Sequence, residues 1–288
     1  MKILVTGANG QLGRELADVL PMRLPDAELV LTDADTLDIT DSKAVESFVQ
    51  AAQPTHIVNC AAYTAVDRAE EDKSLCTKVN VDAAGYLATV ASANGIRLLH
   101  ISTDYVFDGS ACSPYRESDK PSPRSHYGTT KRKSETAILG LAPESVIIRT
   151  GWLYSAYGNN FVKTMLRLAG ENSTVKVVSD QIGTPTYARD LAEMIALVIS
   201  VPQWMSGIYH FSNEGVASWY DFAQAIYDIA VPGFNAVPIH TDQYPTAAER
   251  PRYSVLDKSK VKATFGVDIR HWRHALSQCL DELNKNNQ

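Results

Sequence analysis

The stretch "KILVTGANGQLGRELADVL", residues 2–20, constrains the fold more than any other. Its first five residues form an unbroken apolar and β-branched run closed by a glycine. A run without alternation suits a strand covered on both faces of a parallel sheet. Beyond Gly10, residues Leu12, Leu16, Val19 and Leu20 recur at helical spacing. Between strand and helix stand Gly7, Gly10 and Gly13. Glycines there permit a tight turn and a close backbone approach, and the free N–H groups of a helix start attract an anion such as a pyrophosphate. The spacing is Gly-x-x-Gly-x-x-Gly, not the commoner Gly-x-Gly-x-x-Gly. No Gly-Lys-Ser/Thr follows, so a Walker phosphate loop is excluded.

The pattern continues as alternation. Strands are expected at 28–33, 56–62, 96–103 and 145–150, with helices at 42–52, about 75–94 and around Tyr127. Strand and helix in turn imply right-handed crossovers and an α/β fold, a Rossmann-type doubly wound parallel sheet. After Thr150 prolines at 185, 202, 232, 238, 245 and 251 break the chain into shorter pieces. Helical patterns persist at 160–169, 187–200, 218–230 and 271–284. Residues 1–150 therefore read as a dinucleotide-binding domain and 151–288 mainly as a smaller substrate-binding lobe, with later segments free to return to the sheet.

Asp33 stands about 20 residues past the glycines, at the end of the second strand, where a carboxylate binds the adenosine ribose hydroxyls. It favours NADH because it repels a 2′-phosphate. Arg14 offers a counter-charge, so NADPH stays open as cofactor.

A formal net charge of -6 argues against a nucleic-acid partner, which needs a basic face. No apolar run approaches the roughly 18–20 residues that cross a bilayer. The chain enters a strand at once, leaving no room for a signal peptide. Cys60, Cys76, Cys112 and Cys279 lie far apart, which suggests thiols in a reducing compartment. These features predict a cytoplasmic protein.

The stretch "SHYGTTKRKSE" sets Tyr127 four residues before Lys131, on one face of a helix. With 13 tyrosines, chance alone yields on the order of one such spacing, so its setting matters more. Upstream, "STDYVFDG" ends a strand, as a catalytic loop does. A free tyrosine titrates near 10, and a cation about 4–6 Å away pulls that value down. Tyr127 is thus expected to protonate a carbonyl oxygen as a hydride reaches its carbon, with the Thr103 hydroxyl bonding the same oxygen. Arg132 and Lys133 are read as solvent-facing and His126 as structural. No Gly-x-Ser-x-Gly elbow and no His-Glu-x-x-His cluster is present, so neither a serine nucleophile nor a metal is expected.

Together "VTGANGQLGREL", "VNCAAYTAVDRAEED", "STDYVFDG", "YGTTKRKSE", "IIRTGWLY", "DQIGTPTYARDLA" and "ERPRYSVLD" resemble the extended short-chain dehydrogenase/reductase family along nearly the whole chain. The resemblance implies a catalytic set of Thr103, Tyr127 and Lys131, with Lys131 also bonding the nicotinamide ribose. It places the backbone from Gly10 through Gln11 to Leu12 on the pyrophosphate, Asp38 and Ile39 beside the adenine, and Ala62, Tyr63 and Thr64 along the cofactor. Asp104, Trp152 and Arg250 match positions suited to a sugar-nucleotide substrate, Arg250 as partner of its diphosphate. The implied reaction is NAD(P)H-dependent reduction of a 4-keto sugar nucleotide. Some relatives hold Mg2+ through glutamates at a homodimer contact. Glu15 matches one of them, whereas Arg189 and Asp190 stand where another glutamate is expected. Two rivals remain: a sugar-nucleotide epimerase, and a non-catalytic NADP-binding regulatory subunit. A dehydratase is disfavoured, since Thr103 is followed by Asp104 and Tyr105 and lacks that group's glutamate.

Overall fold

The computed structural model describes residues 1–286. At its centre is a parallel sheet of β1 (Lys2–Thr6), β2 (Glu28–Thr32), β3 (His56–Asn59), β4 (Arg97–Thr103), β5 (Val146–Thr150) and β6 (Gly207–His210). The strand order is β6-β5-β4-β3-β1-β2. The main helices are α1 (Gln11–Arg23), α2 (Ser42–Ala52), α3 (Ala83–Ala93), α4 (His126–Leu141), α5 (Phe161–Glu171), α6 (Ala188–Ser200), α7 (Trp219–Ala230) and α8 (Trp272–Asn286). The doubly wound α/β sheet read from the alternation is present. Its last strand, β6, comes from the second half of the chain and pairs with β5.

Two apolar layers hold the sheet. On one face Leu12, Leu16, Val19 and Leu20 of α1 meet Leu191, Ile195 and Val198 of α6 over Ile3 and Val5. On the other, Val45 and Val49 of α2, Leu87 and Ala91 of α3 and Ile138 of α4 pack over Leu4 and Ile57. Burying one such aliphatic side chain contributes about 1.5–3 kcal/mol. A third cluster, around Tyr154, Phe222, Ile226, Trp272 and Leu276, forms the core of the remaining lobe.

Local chemistry sets the helix starts. The Asp41 carboxylate accepts from Lys43 N at 2.9 Å ahead of α2, and the Ser125 hydroxyl accepts from Gly128 N at 3.1 Å ahead of α4. The helix expected at 75–94 begins as a short helix at Lys73–Thr77, widens into a π turn over Lys78–Asp82, and then continues as α3. Such a bulge often marks a functional site. Here it turns the Asn80 side chain inward.

From β1 the chain moves outward to β2, then crosses back to β3 on the other side. That reversal opens a crevice at the carboxyl ends of β1 and β3, where ligands bind in open α/β sheets. Among the described residues no helix is long and apolar enough to cross a membrane.

Candidate active site

A cleft of about 1140 Å³ occupies that crevice. Gly7, Gly10, Gln11, Leu12, Asp33, Asp38, Ile39, Ala62, Thr64, Thr103, Asp104, Tyr127, Lys131 and Trp152 all line it. The expected residues of five strand ends thus meet around one space.

The glycine turn is built for close approach. Gly7 has φ +67°, and a Cβ on Gly13 would lie 2.3 Å from the Gly7 oxygen. Gly10 caps α1 without any side-chain bond, which leaves the first N–H groups of the helix for a ligand. Asp33 braces this turn, since its Oδ2 accepts from Asn9 N at 2.9 Å. Arg14, the suggested counter-charge, lies over the Tyr157 ring at 5.7 Å and does not line the cleft. Asp38 accepts from the Thr40 hydroxyl at 2.6 Å, which together with the Thr40 N–H holds its carboxyl below the ordinary value. A dinucleotide fits these groups.

Tyr63 and Arg250 do not line the cleft. The Tyr63 ring reaches outward to Asp72, while its backbone N–H donates to Asn80 Oδ1 at 2.8 Å. Asn80 also donates to Thr130 of α4 at 3.0 Å, so the π turn ties the 62–64 loop to the helix of Tyr127. Arg250 forms a double bond pair with Asp67, at 3.0 and 2.5 Å. His126 is structural: its Nε2 lies 3.1 Å from the Lys73 carbonyl. Arg132 is only partly in solvent, because it donates to Glu135 at 3.0 Å.

Tyr127 is buried. Burial pushes its phenol well above the ordinary value, the Thr103 hydroxyl pulls it down, and Asp104 and Cys76 push it up. The expected pull from Lys131 is absent. The reason is geometric: the Lys131 ammonium donates to the Ile101 carbonyl at 2.7 Å and lies 3.2 Å from His100 Nε2. Burial lowers Lys131 to about 8, against the attraction of Glu135. Asp104 accepts from Thr103 Oγ1 at 3.0 Å. Burial pushes its carboxyl up to about 6, opposed by the hydroxyls of Ser254 and Thr103, although no donor completes a hydrogen bond to Oδ2. That buried oxygen is a ready acceptor for a ligand hydroxyl.

Trp152 has the left-handed φ of 50° and stacks on Trp219, with ring centroids 3.6 Å apart and planes 6° apart. Both indoles line the cleft. Sequence reasoning missed Trp219, Asn80 and His100; their partners lie far off in the chain, and no local spacing marks them.

Mg2+ requires clustered oxygen ligands. Glu15 is buried and accepts from Ser155 at 2.5 Å. Arg189 bridges it to Glu282, with Nη1 3.9 Å from Glu15 Oε2 and 3.8 Å from Glu282 Oε1. Asp190 is engaged by Arg270 at 2.6 and 2.8 Å. Among the described residues no group of three or more His, Cys, Asp or Glu is arranged to hold a metal. Within this chain a guanidinium, not a third carboxylate, is the neighbour of Glu15 and Glu282.

A doubly wound sheet with a glycine turn at β1 and threonine, tyrosine and lysine around one cleft is the fold of an extended short-chain dehydrogenase/reductase. The chain belongs to the family described as RmlD substrate binding domain, whose model matches residues 1–285. It is 45% identical over 287 residues to the dTDP-4-dehydrorhamnose reductase of Aggregatibacter actinomycetemcomitans, covering 96% of this chain and 97% of that protein. The crystal structure of a dTDP-4-dehydrorhamnose reductase from Clostridium acetobutylicum superposes with a TM-score of 0.95 at 43% identity, covering 99% of this chain and 100% of the other. The Bacillus anthracis dTDP-4-dehydrorhamnose reductase, solved in complex with NADP, gives 0.93 at 39% identity, covering 98% and 99%.

Proposed function

We propose that this chain reduces the C4 keto group of dTDP-4-dehydro-L-rhamnose to give dTDP-L-rhamnose, using NADPH or NADH. The observation that carries the proposal is the meeting of Thr103, Tyr127 and Lys131 with the glycine turn in one cleft. The names of the relatives support the substrate. A nicotinamide cofactor bound there supplies the hydride. Gly7, Gly10, Gln11 and Leu12 hold its pyrophosphate, Asp33 a ribose hydroxyl, and Asp38 and Ile39 border the adenine, with the backbone of 62–64 alongside. Lys131 bonds the second ribose.

Tyr127 keeps its proton at neutral pH and gives it to the carbonyl oxygen as charge develops there. Thr103, turning its hydroxyl away from Asp104 Oδ1, donates to the same oxygen, and the unbonded carboxylate oxygen of Asp104 takes a sugar hydroxyl. Trp152 and Trp219 wall the substrate side, with the 151–288 lobe as its main framework. Arg250 reaches a diphosphate only by leaving Asp67. All four cysteines are free thiols, which supports a cytoplasmic setting.

The test offers dTDP-4-dehydro-L-rhamnose, generated in situ, with NADH and NADPH separately. The expected result is loss of reduced-nicotinamide absorbance with formation of dTDP-L-rhamnose. A protein that consumes neither cofactor with any keto sugar defeats the reading.

Two substitutions probe the parts. Asp33→Ala lowers the preference for NADH over NADPH in paired kcat/KM measurements, because it removes the carboxylate that repels a 2′-phosphate. An unchanged ratio places discrimination elsewhere. In Gly151→Ala the new Cβ would lie 2.6 Å from Asp104 Cγ, so the carboxylate must move. A displacement of that kind costs about 10–100-fold in kcat/KM. Cofactor Kd, read by fluorescence titration, stays unchanged because Gly151 does not touch the glycine turn.

A further inference from the structure

Lys131 is buried, and its ammonium is not free to choose a direction. An ammonium carries three N–H bonds. One goes to the Ile101 carbonyl at 2.7 Å and one points to His100 Nε2 at 3.2 Å, which leaves one for the cleft that Lys131 lines. His100 is itself buried among uncharged partners. Its Nδ1 meets the Asn59 amide at 3.0 Å. Ser134 Oγ lies 3.2 Å from Nε2 but spends its hydrogen on the Lys131 carbonyl at 2.7 Å. The far end of the Asn59 amide meets Thr6 Oγ1 at 2.7 Å. Thr6, Asn59, His100 and Lys131 therefore form one buried file from β1 through β3 and β4 to α4.

The protons along this file can be counted. For Nε2 to accept from the ammonium, the ring proton sits on Nδ1. The structure sets Asn59 Nδ2 against His100 Nδ1 and lets Oδ1 accept from the Thr6 hydroxyl; with the ring proton on Nδ1 the amide turns end for end, so that Oδ1 accepts from the ring and Nδ2 faces Thr6 Oγ1. Burial and the Lys131 charge hold His100 well below its ordinary value, so the imidazole stays a neutral acceptor.

Few charges face Lys131. Glu135 attracts it from the next turn of α4, but that carboxylate is bound by Arg149 of β5 at 2.7 Å. The Cys60 thiol approaches from the end of β3, and the Cys76 thiol from the short helix at Lys73–Thr77. Among the described residues no carboxylate forms an ion pair with Nζ. A buried ammonium without a paired carboxylate depends on neutral acceptors for its charge and its direction.

We infer that His100 is a positioning residue for Lys131: with the Ile101 carbonyl it fixes two of the ammonium's hydrogens and holds the third toward the cleft, where ribose and phenol are to meet it. Its consequence for turnover rests on the reductase reading, whereas its geometry does not.

The experiment compares His100→Gln, whose amide reaches the place of Nε2, with His100→Asn, which reaches only that of Nδ1. Lysine labelled with 13C at Cε reports the titration of Lys131 by NMR without cofactor, the signal being assigned by its loss in Lys131→Met. The wild type is expected to titrate near pH 8. The glutamine variant is expected to keep that value. The asparagine variant, which leaves the buried charge one acceptor short, titrates about one unit lower.

In the second arm, the reductase works with Lys131 as ammonium, so kcat falls as pH rises through the lysine's titration. A lower titration moves that alkaline limb to lower pH, by about tenfold in proton concentration for the asparagine variant. Equal titrations in the two variants, or a limb that does not follow them, overturn the inference. If the titrations separate but no protein turns over any keto sugar, His100 keeps its role and the reductase reading falls. Should His100→Asn not fold, His100→Leu takes its place with the same expectation.

Discussion

Tyr127→Phe lowers kcat by about 100- to 10,000-fold while the Kd of NADPH stays where it was, as expected for loss of a general acid. The substitution removes one oxygen and keeps the ring. The edge contact with Tyr105, at 5.7 Å between centroids, survives, and so does the buried volume. What disappears is the proton that must reach the carbonyl oxygen as hydride arrives. Because burial holds this phenol above its ordinary value, it is protonated across the whole neutral range in the open cleft. The wild-type rate should therefore show no alkaline loss from Tyr127 itself until well past neutrality. The loss that comes first with rising pH belongs to Lys131, near 8. Stopped-flow measurement of hydride transfer in the variant is the check, and a rate equal to wild type removes Tyr127 from the mechanism.

Arg149→Met is expected to cost about 3–5 kcal/mol of stability, because it takes from a buried carboxylate its buried ion-pair partner. The guanidinium holds Glu135 through two bonds, at 2.7 and 2.8 Å, and both side chains are almost fully buried. Ser102 adds a third bond to the same carboxylate at 2.6 Å, and the partly exposed Arg132 a fourth at 3.0 Å. For a chain of this size the loss corresponds to a fall in Tm of roughly 5–8 °C. The sign with pH is fixed. Burial raises the Glu135 pKa, but the bonds and charge of Arg149 outweigh it, and the net value lies below the ordinary 4.5. The contribution is thus present above 4.5 and is lost as pH falls through the depressed folded value. The gap in Tm between wild type and variant should be full at pH 7 and close in acid. A double change to Glu135→Leu and Arg149→Met should recover much of the loss, since no lone buried charge remains and Arg132 is partly in solvent. Equal Tm values for wild type and Arg149→Met would show that the pair carries little.

Most of the framework was legible because its signals are local. Leu12, Leu16, Val19 and Leu20 announce α1 by spacing alone. The cleft was legible for a related reason: in a doubly wound sheet every strand end after β1 points to one side, so Thr103, Tyr127 and Gly7 had to converge. The strand β6 was not placed, since "GIYH" is four residues long and gains its meaning only by lying against β5. Asn80 was missed because its work is done across 50 residues, on Thr130. The acidity of Tyr127 was misjudged. A spacing of four residues puts two side chains on one face, but does not say where a flexible amine points, and this one points to the strand beside it.

The placing of β6 and α6 has a consequence for how the molecule comes into being. The sheet is finished, and the apolar face of α1 covered, by residues near 190 and 210, far from the strands they complete. Such distant contacts slow assembly. On the ribosome, the first 150 residues emerge with one greasy flank bare, and they must wait for the later chain, or a chaperone, to shield it.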